Sequence, residues 1–170
     1  MRLALIALSF LLAGCVHRPW AAAAAGTGTV RILPGEGVGN VALGMRKARV
    51  KRRLGEPEGM DVFQGKQAYW NYPSLGLSVR FEGRRVASVF CYSGLRGGYE
   101  TRSYQPFPGA TPEGVTVKDG RAEVLMAYGQ PDTFEEDKDA PIPAYWLIYG
   151  EGLGFCLTTA QDRIVYLYVD

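Results

Sequence analysis

Few residues in this chain of 170 could do covalent or metal chemistry: three cysteines and a single histidine, His17. A serine or cysteine nucleophile needs a base beside it, and that base would have to be His17, which stands alone in an Ala/Gly-rich stretch. A zinc site needs several nitrogen or sulfur ligands, so one histidine does not make one. The run "EEDKD" at 135–139 offers carboxylates, but without the spaced ligands and turn glycine of a calcium loop it reads as a solvated loop. No catalytic residues, metal site or cofactor are therefore expected, and the chain reads as a binder rather than an enzyme.

Cys15 has a different context. Met1-Arg2 followed by "LALIALSFLLAG" is a charged start and an apolar run shorter than the roughly 20 residues of a membrane-spanning helix. It reads as an export signal. "AAAAAG" at 21–26 would suit ordinary cleavage of a secreted protein. The alternative is carried by Leu12-Ala13-Gly14-Cys15, which resembles the lipobox of bacterial lipoproteins. That resemblance implies cleavage before Cys15 and acylation of it, a covalent lipid being the only prosthetic group expected. Several acyl chains on one residue anchor stably, since each buried CH₂ contributes about 0.8 kcal/mol. Val16, where inner-membrane retention in enterobacteria uses Asp, points to the periplasmic face of the outer membrane.

These features divide the chain into a signal peptide (1–14), a lipidated cysteine with an Ala/Gly-rich tether (15–37), a first unit (38–92), a connecting loop (93–110) and a second unit (111–170). A flexible tether of about 25 residues spans roughly 25–30 Å.

The two units share a pattern. Ala48, Val50, Gly55 and Pro57 match Ala122, Val124, Gly129 and Pro131 at a spacing of 74, and "AYW" at 68–70 returns at 144–146. In each, a short helix (46–54 and 120–128) ends at a glycine suited to a left-handed C′ position with proline two residues on. Val50 with Leu54, and Val124 with Tyr128, form its buried stripe, and Asp119 is placed to cap the second helix. Leu77, Val79 and Phe81 alternate with Gly76, Ser78 and Arg80, as Leu153, Phe155 and Leu157 do with Gly154, Cys156 and Thr158, which marks half-buried strands. "VASVFCY" and "IVYLYV" follow as third strands, with Ala87, Val89 and Cys91, or Val165, Leu167 and Val169, facing inward. Cys91 and Cys156 then lie on opposite sheet faces, where disulfide geometry is out of reach.

"GMRKARVKRRLGEPEGMDVFQGKQAYWNY" is similar to the SmpA/OmlA family, small outer-membrane lipoproteins of the β-barrel assembly machinery, and to the related repeats of β-lactamase inhibitor protein. Gly44-Met45, Val50, Leu54-Gly55-x-Pro57, Asp61-x-Phe63 and Trp70-x-Tyr72 carry the likeness; the second unit has no counterpart of Asp61-x-Phe63. The resemblance implies an α+β fold of two tandem repeats, each a short helix followed by a three-stranded antiparallel meander, with sheets able to join. It also implies a scaffold or interaction role in envelope or β-barrel assembly, or alternatively inhibition of an envelope or secreted enzyme through the sheet face.

Two surfaces are candidates for partners. The formal net charge of +2 gives no reason to expect nucleic acid, yet it hides an asymmetry. Residues 38–92 carry ten Lys and Arg against four acids, and 111–170 carry four against eleven. Arg46, Lys47, Arg49, Lys51, Arg52 and Arg53 gather on the first helix as an anionic-lipid or acidic-partner contact, each worth about 1 kcal/mol beside an anionic membrane. Phe90, Tyr92, Tyr145, Leu147, Tyr149, Tyr166 and Tyr168 are expected on the outward sheet face as a partner-binding surface, unless they serve as cross-strand pairs or lie under the loop at 99–114. Oligomeric state is left open by the sequence.

Overall fold

Gly-x-Pro ends both helices because the glycine takes a backbone conformation closed to most residues. Gly55 and Gly129 have φ of 89° and 73°, and each donates its N–H back to the helix. Helix α1 is Lys47–Leu54 and α2 is Arg121–Tyr128, with Val50, Leu54 and Val124 buried. Asp119 does not cap α2: its carboxylate turns back to Thr116, and Glu123 instead accepts from the N–H of Gly120.

The computed structural model describes residues 29–63, 67–100 and 102–170. The signal peptide, Cys15 and His17 lie outside them. Twelve strands run β1 Val30–Leu33, β2 Gly37–Val38, β3 Val41–Ala42, β4 Gly59–Phe63, β5 Gln67–Tyr72, β6 Leu77–Glu82, β7 Arg85–Tyr92, β8 Gly109–Ala110, β9 Thr133–Asp137, β10 Ala144–Tyr149, β11 Leu153–Thr158 and β12 Ile164–Val169. They form a four-stranded sheet, β3-β2-β1-β8, and an eight-stranded sheet, β4-β5-β6-β7-β12-β11-β10-β9.

This corrects the expected fold class. The described chain is mostly β, with two sheets of four and eight strands and only two eight-residue helices, not a pair of helix-plus-three-stranded meanders. The difference lies at the margins of the sheets. β4 and β9 are the outer edges of the large sheet, where "GMDVF" and "TFEED" lack the alternation that burial of one face imposes. The small sheet is built from two- to four-residue strands too short to show any period. It also takes residues 30–37 from the segment read as a tether, burying Ile32 completely.

One face of the large sheet packs against both helices and the small sheet. Ile32, Val38, Val50 and Val124 share a core with Val79, Phe81, Phe155 and Leu167. The register across β7 and β12 joins the halves, with Leu167 opposite Cys91 and Tyr168 opposite Phe90. Bulges interrupt the ladder at Arg80/Phe81 and at Cys156/Leu157. The second sends Val165 to the opposite face from Leu167, where it packs with Ala144 and Cys156, contrary to the inward position expected from simple alternation.

Cys91 lies in the main core and Cys156 in the small cluster on the other face; both are buried and free. Burial pushes the Cys156 thiol up to about 12 and the Cys91 thiol well above its ordinary value, so neither is a thiolate at neutral pH. Both are expected to ignore a thiol reagent in the native protein and to react on unfolding without reductant. A denatured chain in which Cys91 and Cys156 stay unreactive would contradict the geometry.

Candidate binding face

Strand alternation puts the second face of the large sheet toward solvent, and the register brings a row of aromatic residues together on it. Phe90 on β7 is the hub: its ring centroid lies 5.6 Å from Tyr168, 5.7 Å from Tyr166 and 5.9 Å from Tyr69. Tyr168 lies flat because residue 154, directly across the ladder, has no side chain. A Cβ on Gly154 would stand 2.2 Å from the Tyr168 ring. Trp146 donates its indole N–H to Tyr166 Oη at 3.1 Å, and Arg80 donates from Nε and Nη2 to Ser88 Oγ at 3.1 and 2.7 Å.

These side chains line a groove of about 440 Å³, with Glu135 and Asp137 of β9 and Asp170 on its rim. A second hollow of about 340 Å³ shares Tyr69, Phe90 and Tyr166 and extends to Asp61, Asn71 and Arg102. The "EEDKD" run therefore does not act as one cluster: Glu135 and Asp137 share a face, while Glu136 points to the other. Among the described residues no group of three His, Cys, Asp or Glu is placed to hold a metal ion.

The segment between the two halves crosses this face. Gly98 exchanges backbone hydrogen bonds with Ile142, Tyr99 Oη donates to Asp137 at 2.9 Å, and Tyr104 stacks on Tyr92 with centroids 3.7 Å apart. Arg102 makes a two-pronged contact with Asp61 at 2.5 and 2.7 Å, and Asn71 adds a hydrogen bond to the same carboxylate. Tyr92 is thus covered rather than displayed, as the loop alternative allowed.

The Arg102 hydrogen bonds, outweighing desolvation, hold the Asp61 carboxyl below its ordinary pKa. A group depressed in the folded state contributes stability above its unfolded pKa, about 3.9, and loses it as pH falls through the folded value. Acid is therefore expected to loosen the crossing segment. The near-UV circular dichroism of the Tyr92–Tyr104 stack should decline over that range, and Asp61→Asn should already show the weakened signal at neutral pH. A variant spectrum identical to wild type at both ends would refute the link.

Of the seven residues expected outward, Phe90, Tyr92, Tyr166 and Tyr168 do share this face. Tyr145, Leu147 and Tyr149 do not: they are buried in the main core, and Trp146 and Ile148 take their places in the groove. The cause is one extra residue. Tyr72 and Tyr149 both send their hydroxyls to the carbonyl of the glycine ending a helix, Gly55 at 3.3 Å and Gly129 at 3.1 Å. "AYW" begins four residues before the first of these tyrosines and five before the second, so the matched triplets face opposite ways. Tyr69 lines the groove and Trp70 packs on the core, whereas Tyr145 is core and Trp146 groove.

Tyr69, Arg80, Glu135 and the Asp61–Arg102 pair were not singled out as site residues. Asp61 and Arg102 lie 41 positions apart, and no local pattern couples them. Of the six basic residues expected on α1, Arg46, Arg49, Arg52 and Arg53 are exposed and form no ion pair among the described residues. Lys51 pairs with Glu56, and Lys47 lies over the Phe81 ring at 5.2 Å.

No family model matches the chain, and no curated protein matches it. Among solved structures it is similar to an extracellular protein containing an SCP domain from Bacillus anthracis str. Ames, 12% identical with a TM-score of 0.44 over 75% of this chain. The match spans 44% of that protein, and a likeness at this level says nothing about function.

Proposed function

We propose that this chain is a non-catalytic cell-envelope lipoprotein, anchored through Cys15 at the periplasmic face of the outer membrane, that binds another envelope protein. The observation carrying the binding role is the solvent-open groove around Phe90, Tyr166 and Tyr168. Aromatic side chains gathered in a hollow are the kind of surface on which interfaces concentrate their affinity. The lipobox-like Leu12-Ala13-Gly14-Cys15 supports the anchor, and the likeness to SmpA/OmlA proteins supports envelope or β-barrel assembly as the setting. Among the described residues there is no histidine to serve a cysteine or serine as an imidazole base.

A photo-crosslinking residue at position 168 of the lipidated protein tests this in membranes, with position 126 as control, since Met126 is 87% exposed on α2. One envelope protein joined from 168 and not from 126 supports the reading, and a soluble hydrolase as that product turns it toward inhibition. Equal products from both positions, or none from 168, overturn it.

A further inference from the structure

We infer that the groove around Phe90 and Tyr168 receives a cationic side chain, lysine or arginine, presented by a protein partner. This rests on the binding role proposed above and names the chemistry the face selects.

The charge on the groove is unbalanced. Arg80 stands against three carboxylates, those of Glu135, Asp137 and Asp170. One is already engaged: Asp137 accepts from Tyr99 and from the backbone at 139 and 140. Glu135 and Asp170 have neither ion pair nor side-chain hydrogen bond among the described residues. Arg80 does not serve them, because two of its three nitrogens are committed to Ser88.

Both open carboxylates act on the same wall. Asp170 and Glu135 line the groove together with Tyr168, and after burial their charges are the next causes that raise the Tyr168 hydroxyl above its ordinary pKa. The rings of Tyr168, Phe90 and Tyr166 line the groove, and an ammonium or guanidinium group is attracted to an aromatic face. An aromatic wall with unpaired carboxylates at its rim therefore favours a cation twice over. A carboxylate or phosphate ligand would meet repulsion from the same rim.

A protein is the fitting bearer. The groove runs into the second hollow through Tyr69, Phe90 and Tyr166, giving a continuous surface for the residues flanking the cation. The excess of acids over residues 111–170 would steer a basic loop to this half of the sheet in a salt-dependent way.

The test uses the full chain and cyclic peptides that differ at one central residue: Lys, Arg, Met or Glu. Binding is read at millimolar concentration from the NMR signal of the Trp146 indole. Lys and Arg peptides should bind at least tenfold more tightly than the Met peptide, with the Glu peptide weakest and high salt removing the difference. Combined Glu135→Gln and Asp170→Asn should erase the preference, as should Tyr168→Leu, while Glu82→Gln on the β6–β7 hairpin should not. Folding of each variant is checked by circular dichroism. Equal binding of Met and Lys peptides overturns the cation assignment while leaving the binding face intact. No binding by any peptide, or a preference that survives the double substitution, overturns it as well. Failure of the position-168 crosslink would instead remove the binding role itself.

Discussion

Phe155→Ala lowers the free energy of unfolding by about 3–5 kcal/mol, the range for removing a fully buried aromatic side chain and leaving a cavity. Phe155 is 0% exposed on β11, third from the edge of the large sheet. Its ring lies 5.8 Å from Tyr128 of α2 and 6.0 Å from Tyr149 of β10, so it holds the second helix on the sheet. Domains of this size have about 5–15 kcal/mol in all, so the variant loses a large fraction of its stability. A urea titration should show a midpoint shift with the same slope as wild type. A change under about 1 kcal/mol would mean that Phe155 is not where the packing places it.

Gly76→Val comes next, with an expected loss of roughly 2–6 kcal/mol from two effects that add. Gly76 ends the 3-10 turn Pro73–Leu75 with φ of 70° and ψ of 24°, a left-handed conformation that a β-branched residue strongly resists. A Cβ there would also stand 2.3 Å from the carbonyl oxygen of Gln105 and 2.8 Å from the nitrogen of Phe107. Both are backbone atoms, so no rotamer change relieves the clash. The crossing segment would be lifted near its C-terminal anchor, where Phe107 N–H donates to Tyr92 O and the Phe107 side chain is buried. Thermal unfolding would show the loss, and hydrogen exchange at Gln105 and Phe107 should quicken more than exchange in β11. Uniform quickening would instead indicate a purely global effect.

The parts of this fold readable in the sequence are those with a strong local cause. Gly-x-Pro marks both helix ends, and Leu77-Val79-Phe81 and Leu153-Phe155-Leu157 alternate because those strands bury one face in the main core. The opposed placement of Cys91 and Cys156 follows from the same alternation. Where a strand is apolar on both faces the signal vanishes. "AYWLIY" carries hydrophobic residues at every position, so nothing in it distinguishes Tyr145 inward from Tyr145 outward, and the match to the other "AYW" chose wrongly. Bulges are invisible for a related reason: one added residue shifts the phase without altering composition. The candidate site was legible only as a collection of aromatics on β7 and β12. Its acidic rim comes from an edge strand that lacked alternation, and its cover depends on the Asp61–Arg102 contact between distant segments.

The join between β7 and β12 also has a bearing on how the chain reaches its native state. β12 follows every other described strand in the chain yet lies in the middle of the eight-stranded sheet. Each flanking meander can zip up from hairpins, whose short loops close rapidly. The central pairing must wait for residues 166–169 to find residues 89–92 across the whole second half. Until then both β7 and β12 are open edges, with Phe90, Tyr166 and Tyr168 beside them, and open edges are where chains pair with the wrong neighbour. Slow central closure, rather than helix formation, is thus the step at which folding and aggregation compete.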